Sequence, residues 1–541
     1  MNTKRTKIFL FIFLLLLIIS DLYSQVQMDW MRSVPGPSGV FRYVATDNSG
    51  NCISLGDISS NNYDYFLIKY NSNGIQQWTA TYDYMGQNDE PFGMVIDDSD
   101  NIYVTGVSFG VGTNHDYVTV KFSSSGVRQW VSRYNGAGNG IDWPNAIAID
   151  SSNNIYVTGQ STTDTTNYGF DFLTVKYNSN GAQQWVNRYS GSSYMGSDGA
   201  NAITVDKSNN IYVTGFCTDI PDEGLFCTIK YNSNGEQQWV AKYDGTAVRA
   251  DIGSFVKVDN FGNVFVSGVS YNQMQYTDFA TVKYNSDGIQ QWARKYDGSG
   301  HFEDVVWGLE IDNTGNIYVM GRSTESPTGY DYTVIKYSTN GYRIWLSRYN
   351  RSLNDIPLDL KMDKYGNTYV TAGSDGSGTG EDAATVKFDS SGNLKWAITY
   401  NYSGQSDEAI YAIALDSLEN VFIAGRSDNR HLTIKYSQSI TGVNPLITNI
   451  PYKFSLSQNY PNPFNPTSNL EFGISNPGFV SLKVYDVLGN EVAVIVNERK
   501  NAGTYNYQFS TVNYQLSSGI YFYSLYVDGE LIDTKRMILL K

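Results

Sequence analysis

The chain of 541 residues repeats one pattern from near its start to about residue 436. Eight tryptophans recur about 52 residues apart: Trp30, Trp78, Trp130, Trp185, Trp239, Trp292, Trp345 and Trp396. A motif typified by NIYVTG at Asn101 and a second one typified by TVKY also occur eight times each. A repeat of this length is one structural unit that buries its apolar face against its neighbours, so this periodicity constrains the fold most strongly.

One period contains four short segments with strand character. AIAID (Ala146–Asp150) comes first, followed by NIYVTG, LTVKY and QQWVNRY, and Asn-Ser-Asn-Gly joins the last two. Asn-Gly favours a tight hairpin because both residues accept positive φ, and no 3.6-residue periodicity supports a helical solenoid. The sequence therefore predicts an all-β fold, an eight-bladed β-propeller of four-stranded repeats, with a seven-bladed ring as the less favoured alternative.

The two ends of the repeat region are incomplete in a complementary way. Trp30 has no hairpin before it, and Tyr436 has no tryptophan after it. If each repeat begins at its AIAID-like strand, the last repeat lacks a fourth strand and the segment around Gln27–Val34 supplies one. We therefore predict a propeller over residues 25–436 that the N-terminal strand closes, because an open ring would expose unpaired strand edges.

The N-terminus has the layout of a secretory signal peptide. Lys4, Arg5 and Lys7 precede an apolar run from Ile8 to Ile19, which is too short for a typical membrane span. We predict a signal peptide over residues 1–24, export, and no transmembrane anchor in the mature protein. The net charge of −15 argues against nucleic-acid partners, because phosphates would be repelled.

After the repeats the pattern changes. Residues 437–453 are predicted to be a linker, and alternating apolar runs over residues 454–541 predict a small Ig-like β-sandwich.

Few residues carry obvious chemistry. The three histidines, His115, His301 and His431, are far apart in sequence, so no catalytic constellation, cofactor site or enzyme activity is predicted. Cys217 and Cys227 could form a disulfide in an exported protein, with small buried thiols as the alternative.

Aspartates in phase with the repeat are the candidate metal ligands. A carboxylate ring at one mouth of the central channel could hold a cation such as Ca²⁺, whereas repeated loop capping is the structural alternative. The candidates are Asp89, Asp142, Asp198, Asp251, Asp304, Asp355 and Asp407. A second in-phase set, which includes Asp97 and Asp150, is predicted to cap turns instead.

Two further features bear on binding. The tryptophans are predicted to pack between blades, with carbohydrate stacking as the minority interpretation. The segments between the second and third strands vary most between repeats, as in STTDTTNYGFDF (Ser161–Phe172), and are candidate ligand contacts.

Two resemblances follow from these motifs. The repeats resemble the secreted bacterial β-propeller repeat (SBBP) family. The C-terminal region resembles the type A sorting domain of the type IX secretion system; the matching pieces are YPNPFNPTS (Tyr460–Ser468), KVYDVLGNEV around Gly489, Gly503 with Tyr505, LSSGIYFYSL (Leu516–Leu525), and the basic end at Lys535, Arg536 and Lys541.

The sorting-domain resemblance implies export across both membranes of a Bacteroidetes-type bacterium, with the type IX machinery as a partner and release or surface linkage as the outcome. We therefore expect a non-catalytic, exported scaffold that binds a surface glycan or protein. The alternatives are a secreted polysaccharide-active or quinoprotein-like enzyme and a purely structural surface protein.

Overall fold

The computed structural model describes residues 25–540 except 35–38, 60–61, 163–168, 192–195, 221–222, 246–250, 275, 326–328, 352–353, 377–379, 402–407, 429, 440–453, 475–477, 501–502, 512–513 and 515. The predicted signal peptide and most of the predicted linker therefore lie outside the described residues. The chain divides into two compact units, residues 1–439 and 440–541.

The described part of the first unit consists of eight four-stranded antiparallel sheets. Sheet 1 contains β2 (Phe41–Thr46), β3 (Cys52–Ser59), β4 (Tyr63–Tyr70) and β5 (Gln76–Tyr82), and sheet 2 contains β6 (Asp89–Ile96), β7 (Ile102–Gly110), β8 (Asn114–Phe122) and β9 (Arg128–Tyr134). Sheet 3 contains β10 (Asp142–Ile149), β11 (Ile155–Thr162), β12 (Phe170–Tyr177) and β13 (Gln183–Tyr189), and sheet 4 contains β14 (Gly199–Val205), β15 (Ile211–Ile220), β16 (Glu223–Tyr231) and β17 (Gln237–Tyr243).

The remaining sheets follow in chain order. Sheet 5 contains β18 (Ile252–Val258), β19 (Val264–Tyr271), β20 (Thr277–Tyr284) and β21 (Gln290–Tyr296), and sheet 6 contains β22 (Val305–Ile311), β23 (Ile317–Glu325), β24 (Gly329–Tyr337) and β25 (Arg343–Tyr349). Sheet 7 contains β26 (Asp355–Met362), β27 (Thr368–Gly376), β28 (Gly380–Phe388) and β29 (Leu394–Tyr400), and sheet 8 contains β30 (Glu408–Leu415), β31 (Val421–Ser427), β32 (Arg430–Ser439) and β1 (Gln25–Val34). Sheets of this kind, each formed by one sequence repeat, are the arrangement of a β-propeller.

Each repeat folds because its two turns are locally encoded. Asp97 Oδ1 accepts hydrogen bonds from the backbone N–H groups of Ser99 (2.9 Å) and Asn101 (2.8 Å), and Asp100 takes a positive φ of 61°. In the hairpin, Asn178 Oδ1 accepts from the N–H groups of Asn180 and Ala182 at 3.0 Å. These side chains replace backbone partners in the turns, which is why Asp, Asn and Gly recur there.

A tryptophan latch joins each sheet to the next. Trp130 Nε1 donates to the carbonyl of Ser179 in the following sheet at 3.1 Å, and a Cβ added at Gly181 would lie 2.7 Å from the same indole. Glycine is therefore required in the hairpin both for its positive φ of 81° and for space beneath the tryptophan. The apolar core lies between neighbouring sheets, as where Leu67 of sheet 1 clusters with Val104 of sheet 2.

Sheet 8 combines the two ends of the first unit. Strand β1 pairs antiparallel with β32, with Met31 opposite Ile434, and Trp30 Nε1 donates to the carbonyl of Ser72 in sheet 1 at 3.1 Å. The pairing continues to Ser439, so three residues assigned to the linker from the sequence belong to β32 because β1 provides them with partners. Strand β30 also packs against β2, which places the last sheet next to the first.

The second unit contains two antiparallel sheets around one core. The smaller has β33 (Ser455–Leu456), β34 (Thr467–Ile474) and β37 (Gly503–Ser510); the larger has β35 (Gly478–Tyr485), β36 (Glu491–Lys500), β38 (Gly519–Val527) and β39 (Glu530–Leu539). Phe472 of the smaller sheet and Leu525 of the larger are both fully buried in the shared core. Among the described residues, no helix is long and apolar enough to cross a membrane.

Candidate ligand-binding channel

The first strand of every propeller sheet carries a β-bulge at the same position. In sheet 2, for example, Pro91 pairs with Gly106 and Gly93 pairs with Thr105, so Phe92 is left without a partner. The eight unpaired residues are Arg42, Phe92, Asn145, Asn201, Ser254, Trp307, Leu358 and Tyr411. Bulges redirect side chains and occur frequently beside binding sites.

The bulge explains the glycine of the NIYVTG motif. A Cβ added at Gly106 would lie only 2.0 Å from the carbonyl oxygen of Glu90, and one at Gly159 would lie 2.1 Å from that of Trp143. The backbone of the first strand approaches the second strand this closely where the bulge bends it, so seven sheets have glycine at this position and sheet 7 has the small residue Ala372. A small residue on the second strand therefore accommodates the bulge, while the residue in the bulge differs between sheets.

First strands of six sheets line one central cavity of about 370 Å³. Its lining residues come from β2, β6, β18, β22, β26 and β30: Arg42, Tyr43, Val44, Met94, Phe255, Trp307, Leu358, Asp359, Lys361, Tyr411 and Ala412. This volume lies within the range of about 300–1,000 Å³ that is typical of small-molecule sites. Unlike the turns and latches, the lining differs from sheet to sheet.

The charges of the cavity are unevenly distributed. Lys361 Nζ lies 2.9 Å from Asp359 Oδ1, and Asp359 Oδ2 also accepts from the backbone N–H of Ile413 at 3.0 Å. Burial works to lower the pKa of Lys361, but the carboxylates of Asp359 and Glu310 outweigh it and hold that pKa above its ordinary value. Lys361 is therefore a charged, internally paired lysine.

Arg42 is placed differently. Its Nε lies 3.4 Å from Asp57 Oδ2, its guanidinium carbon lies 5.8 Å from the ring centroid of Tyr411, and its side chain is 48% exposed. Its neighbour Tyr43 is enclosed, and burial raises the pKa of that phenol to about 12, so it stays neutral. A cation, neutral aromatic rings and apolar side chains thus share one cavity.

The predicted aspartate ring has a different environment. Asp89, Asp142, Asp198, Asp251, Asp304 and Asp355 are almost fully buried, each at 2% exposure or less. They accept hydrogen bonds from the segment that enters their own sheet: Asp142 Oδ2 accepts from Gly136 N–H at 2.6 Å, and Asp355 Oδ2 from Arg351 N–H at 2.8 Å. These bonds are those of repeated loop capping.

The place predicted for Asp407, in sheet 8, is occupied by a different residue. Asp407 lies outside the described residues, and Glu408 pairs with Ser427 in the register in which Asp142 pairs with Ser161. Ser427 Oγ donates to Glu408 Oε1 at 2.9 Å. The longer side chain therefore reaches the equivalent serine.

Two of the ring aspartates belong to clusters of three carboxylates. Asp89 lies with Asp64 and Asp83, and Asp304 lies with Asp278 and Asp297; within each triad one oxygen per residue lies within 4.8 Å of the others. Burial raises the pKa of Asp89, and likewise that of Asp304, to about 6. The prediction of a Ca²⁺ site at the aspartate ring stays a prediction.

The cysteines are free thiols. Cys217 pairs with Leu225 and Cys227 with Gly215, so the two cysteines are diagonal neighbours and do not face each other across the sheet. Both are fully buried and unbonded, so the predicted disulfide is absent from the structure.

The sequence interpretation overlooked the bulge residues. In seven of the eight repeats the bulge residue lies three residues after a buried acidic residue, as Trp307 follows Asp304, whereas sheet 1 has Gly39 at that place. This spacing marks the position in the sequence, but it does not show that the residue is unpaired.

The antiparallel four-stranded sheets place the first unit in the β-propeller class of folds. Comparison with known families makes the assignment specific. Residues 129–164 match the family described as Beta-propeller repeat (SBBP), and residues 458–540 match the Secretion system C-terminal sorting domain (Por_Secre_tail). The chain thus carries an SBBP propeller repeat and a type IX sorting domain, which directs it out of the cell to the surface and engages the type IX secretion machinery.

Other similarities are more distant. An uncharacterized WD repeat-containing protein of Acanthamoeba polyphaga mimivirus is 23% identical over 465 residues, which cover 67% of this chain but 31% of that protein. A polysaccharide lyase of family PL25, an ulvan lyase, is 10% identical with a TM-score of 0.41, covering 74% of this chain and 95% of that one. A Dyadobacter fermentans protein of unknown function is 10% identical with a TM-score of 0.36, covering 76% and 99%.

Proposed function

We propose that the eight sheets are the blades of one closed propeller, that the second unit is an Ig-like sandwich, and that the propeller is a non-catalytic binding domain carried to the cell surface or medium. The central cavity is its ligand site. The carrying observation is that a bulge repeated in every first strand presents side chains that differ between sheets, and that four of them, Arg42, Trp307, Leu358 and Tyr411, line the cavity.

The chemistry of the cavity supports binding over catalysis. Glycoside hydrolysis commonly needs two carboxylates that flank the scissile bond. Among the described residues, Asp359 is the one carboxylate that lines the cavity, and its oxygens are already engaged by Lys361 and by Ile413 N–H. Aromatic and apolar residues with a few fixed polar groups are typical of a binding pocket.

A glycan array probed with the mature exported protein tests the proposal. Trp307→Ala removes an aromatic ring from the cavity, and Tyr342→Ala, a residue 71% exposed on a hairpin tip, is the matched control. We expect ligand binding by the wild type and the control and its loss in Trp307→Ala. Binding that survives Trp307→Ala unchanged would place the site elsewhere, and cleavage of a bound polysaccharide would overturn the non-catalytic assignment.

A further inference from the structure

We infer that the cavity recognises an acidic saccharide, with Arg42 binding the anionic group and the rings of Tyr411 and Trp307 packing against the sugar. This inference rests on the proposed binding function and names its ligand class. It follows from three properties of the lining: one cation with free donors, internal pairing of the other charges, and aromatic side chains beside that cation.

Arg42 has hydrogen-bond donors that no described residue engages. Its only polar contact among the described residues joins Nε to Asp57 Oδ2 at 3.4 Å, and its terminal nitrogens make no hydrogen bond in the described structure. Asp57 is buried at 5% exposure and sits beneath the guanidinium, so it orients the arginine and leaves the outer nitrogens exposed. A planar guanidinium with free terminal nitrogens matches the two oxygens of a carboxylate or sulfate.

The remaining charges do not compete for the anion. Lys361 of β26 is paired with Asp359 at 2.9 Å. Lys257 of β18 is paired with Glu310 of β22 at 3.0 Å. Two cations and one carboxylate line the cavity, and the carboxylate of Asp57 lies against Arg42. The outer nitrogens of Arg42 are therefore the donors that the lining offers to an anionic group.

The position of Arg42 among the blades is specific. The equivalent bulge residues of the other seven sheets are uncharged, so the guanidinium is not a product of repetition. Tyr411 occupies the bulge of the adjacent sheet 8, and the guanidinium carbon lies 5.8 Å from its ring centroid. An anionic group bound by Arg42 would therefore hold the rest of its ligand next to an aromatic face.

The ligand must offer both an anionic group and an apolar face with hydroxyl groups around it. A sugar unit with a carboxylate or sulfate meets this requirement, because its C–H face packs on aromatic rings while its acid group meets the guanidinium. The protein is exported, and extracellular polysaccharides contain such units. A nucleotide would add phosphate charges that Arg42 alone could not neutralise.

Isothermal titration calorimetry on the mature exported protein tests the inference. The probes are a uronic-acid disaccharide, its neutral methyl ester, a sulfated disaccharide with the same backbone and a mononucleotide. The variants are Arg42→Gln, Arg42→Lys, Trp307→Ala and Arg343→Gln. Arg343 is an exposed arginine on β25, which makes it the charge-matched control.

Loss of a charge-assisted hydrogen bond pair predicts about a 10- to 100-fold weaker affinity for the acidic probe in Arg42→Gln. Arg42→Lys should retain part of the affinity, and Arg343→Gln should retain all of it. The methyl ester should bind wild type and Arg42→Gln equally weakly. Preference for the carboxylated over the sulfated probe, or the reverse, identifies which acid is recognised.

Equal affinity of wild type for the acid and its ester, or no effect of Arg42→Gln, would overturn the acidic-sugar inference. If neutral glycans still bind and Trp307→Ala abolishes their binding, the proposed function stands without it. Absence of any saccharide binding, or tighter binding of a mononucleotide than of the acidic disaccharide, would also overturn the inference.

Discussion

Replacing Trp30 with alanine should weaken the place where the two ends of the propeller meet. Trp30 is 7% exposed, and its ring lies 5.7 Å from Tyr70 of sheet 1 and 6.0 Å from Phe422 of sheet 8, centroid to centroid. Its Nε1 also donates to Ser72 O at 3.1 Å. The side chain therefore joins the last sheet to the first through both packing and a hydrogen bond.

The expected cost follows from these contacts. Removing a buried tryptophan ring costs about 3–5 kcal/mol. At about 2.1 cal/mol/K of unfolding entropy per residue, a unit of this size loses about 1 °C for each kcal/mol, so the melting temperature should fall by about 3–6 °C. Trp30→Phe keeps an aromatic ring but loses the indole donor, and should cost about 1 kcal/mol.

Trp185→Ala is the control, because Trp185 joins two sheets in the middle of the unit, whereas Trp30 joins the last sheet to the first. Trp185 makes the equivalent contacts, with ring centroids 5.9 Å from Tyr156 and 6.2 Å from Tyr231, and its Nε1 lies 3.3 Å from Ser233 O. However, β13 pairs with β12, the strand just before it in the chain, whereas β1 pairs with β32, which lies at the opposite end of the unit's sequence.

Native-state hydrogen exchange provides the assay. Trp30→Ala should accelerate exchange of the amides in β1 and of their partners in β32, while Trp185→Ala should leave β1 protected. If Trp30→Ala left the amide protection of β1 unchanged, the expectation that the first unit opens between sheets 8 and 1 would be refuted. Equal loss of β1 protection in Trp30→Ala and Trp185→Ala would refute it as well.

Three further predictions use the same fold. In urea unfolding, Gly181→Ala should destabilise the protein more than Gly112→Ala does. Both glycines have a positive φ, but a Cβ at Gly181 would also lie 2.7 Å from an indole, whereas one at Gly112 would meet nothing within 4 Å. Equal losses of unfolding free energy in the two variants would contradict the tryptophan latch. His431 is buried, and burial lowers its pKa, so its contribution to stability is present above the unfolded pKa of about 6.5 and is lost as the pH falls. His431→Phe should therefore reduce the drop in melting temperature between pH 7 and pH 5, and an unchanged drop would exclude His431 as its source. Deleting residues 454–541 should leave the protein in the periplasm, as fractionation would show, and normal export would contradict the sorting role of that region.

Repetition is what made the fold predictable. The repeats share an Asp-capped turn, a tryptophan and, in sheets 1 to 7, a hairpin that ends in glycine, and each of these requires a particular residue for local reasons, as Gly181 does beneath Trp130. Because the pattern occurs eight times, the assignment of any one segment as a strand is supported by the equivalent segments of the other repeats. The same reasoning favoured loop capping for the aspartates, and the bonds from Gly136 and Arg351 N–H are of that kind.

Where the chain departs from its own pattern, sequence spacing was less informative. Glu408 takes the place expected for an aspartate because a longer acidic side chain still reaches Ser427, and counting residues alone assigned that place to Asp407. Cys217 and Cys227 were close enough in sequence to suggest a bond, but their register depends on a hairpin whose length does not reveal which residues are opposite.

The candidate site required the register as well. A β-bulge inserts one residue into the first strand without changing the hydrophobic alternation around it, so Trp307 and Arg42 read in the sequence as ordinary strand residues. Once the pairing is known, the division is physical: positions whose backbone geometry demands one residue type repeat, and the unpaired position does not. Because the bulge side chain has no neighbour on its own sheet that fixes its identity, its chemistry can vary without cost to the blade, and binding specificity can change there while the propeller is preserved.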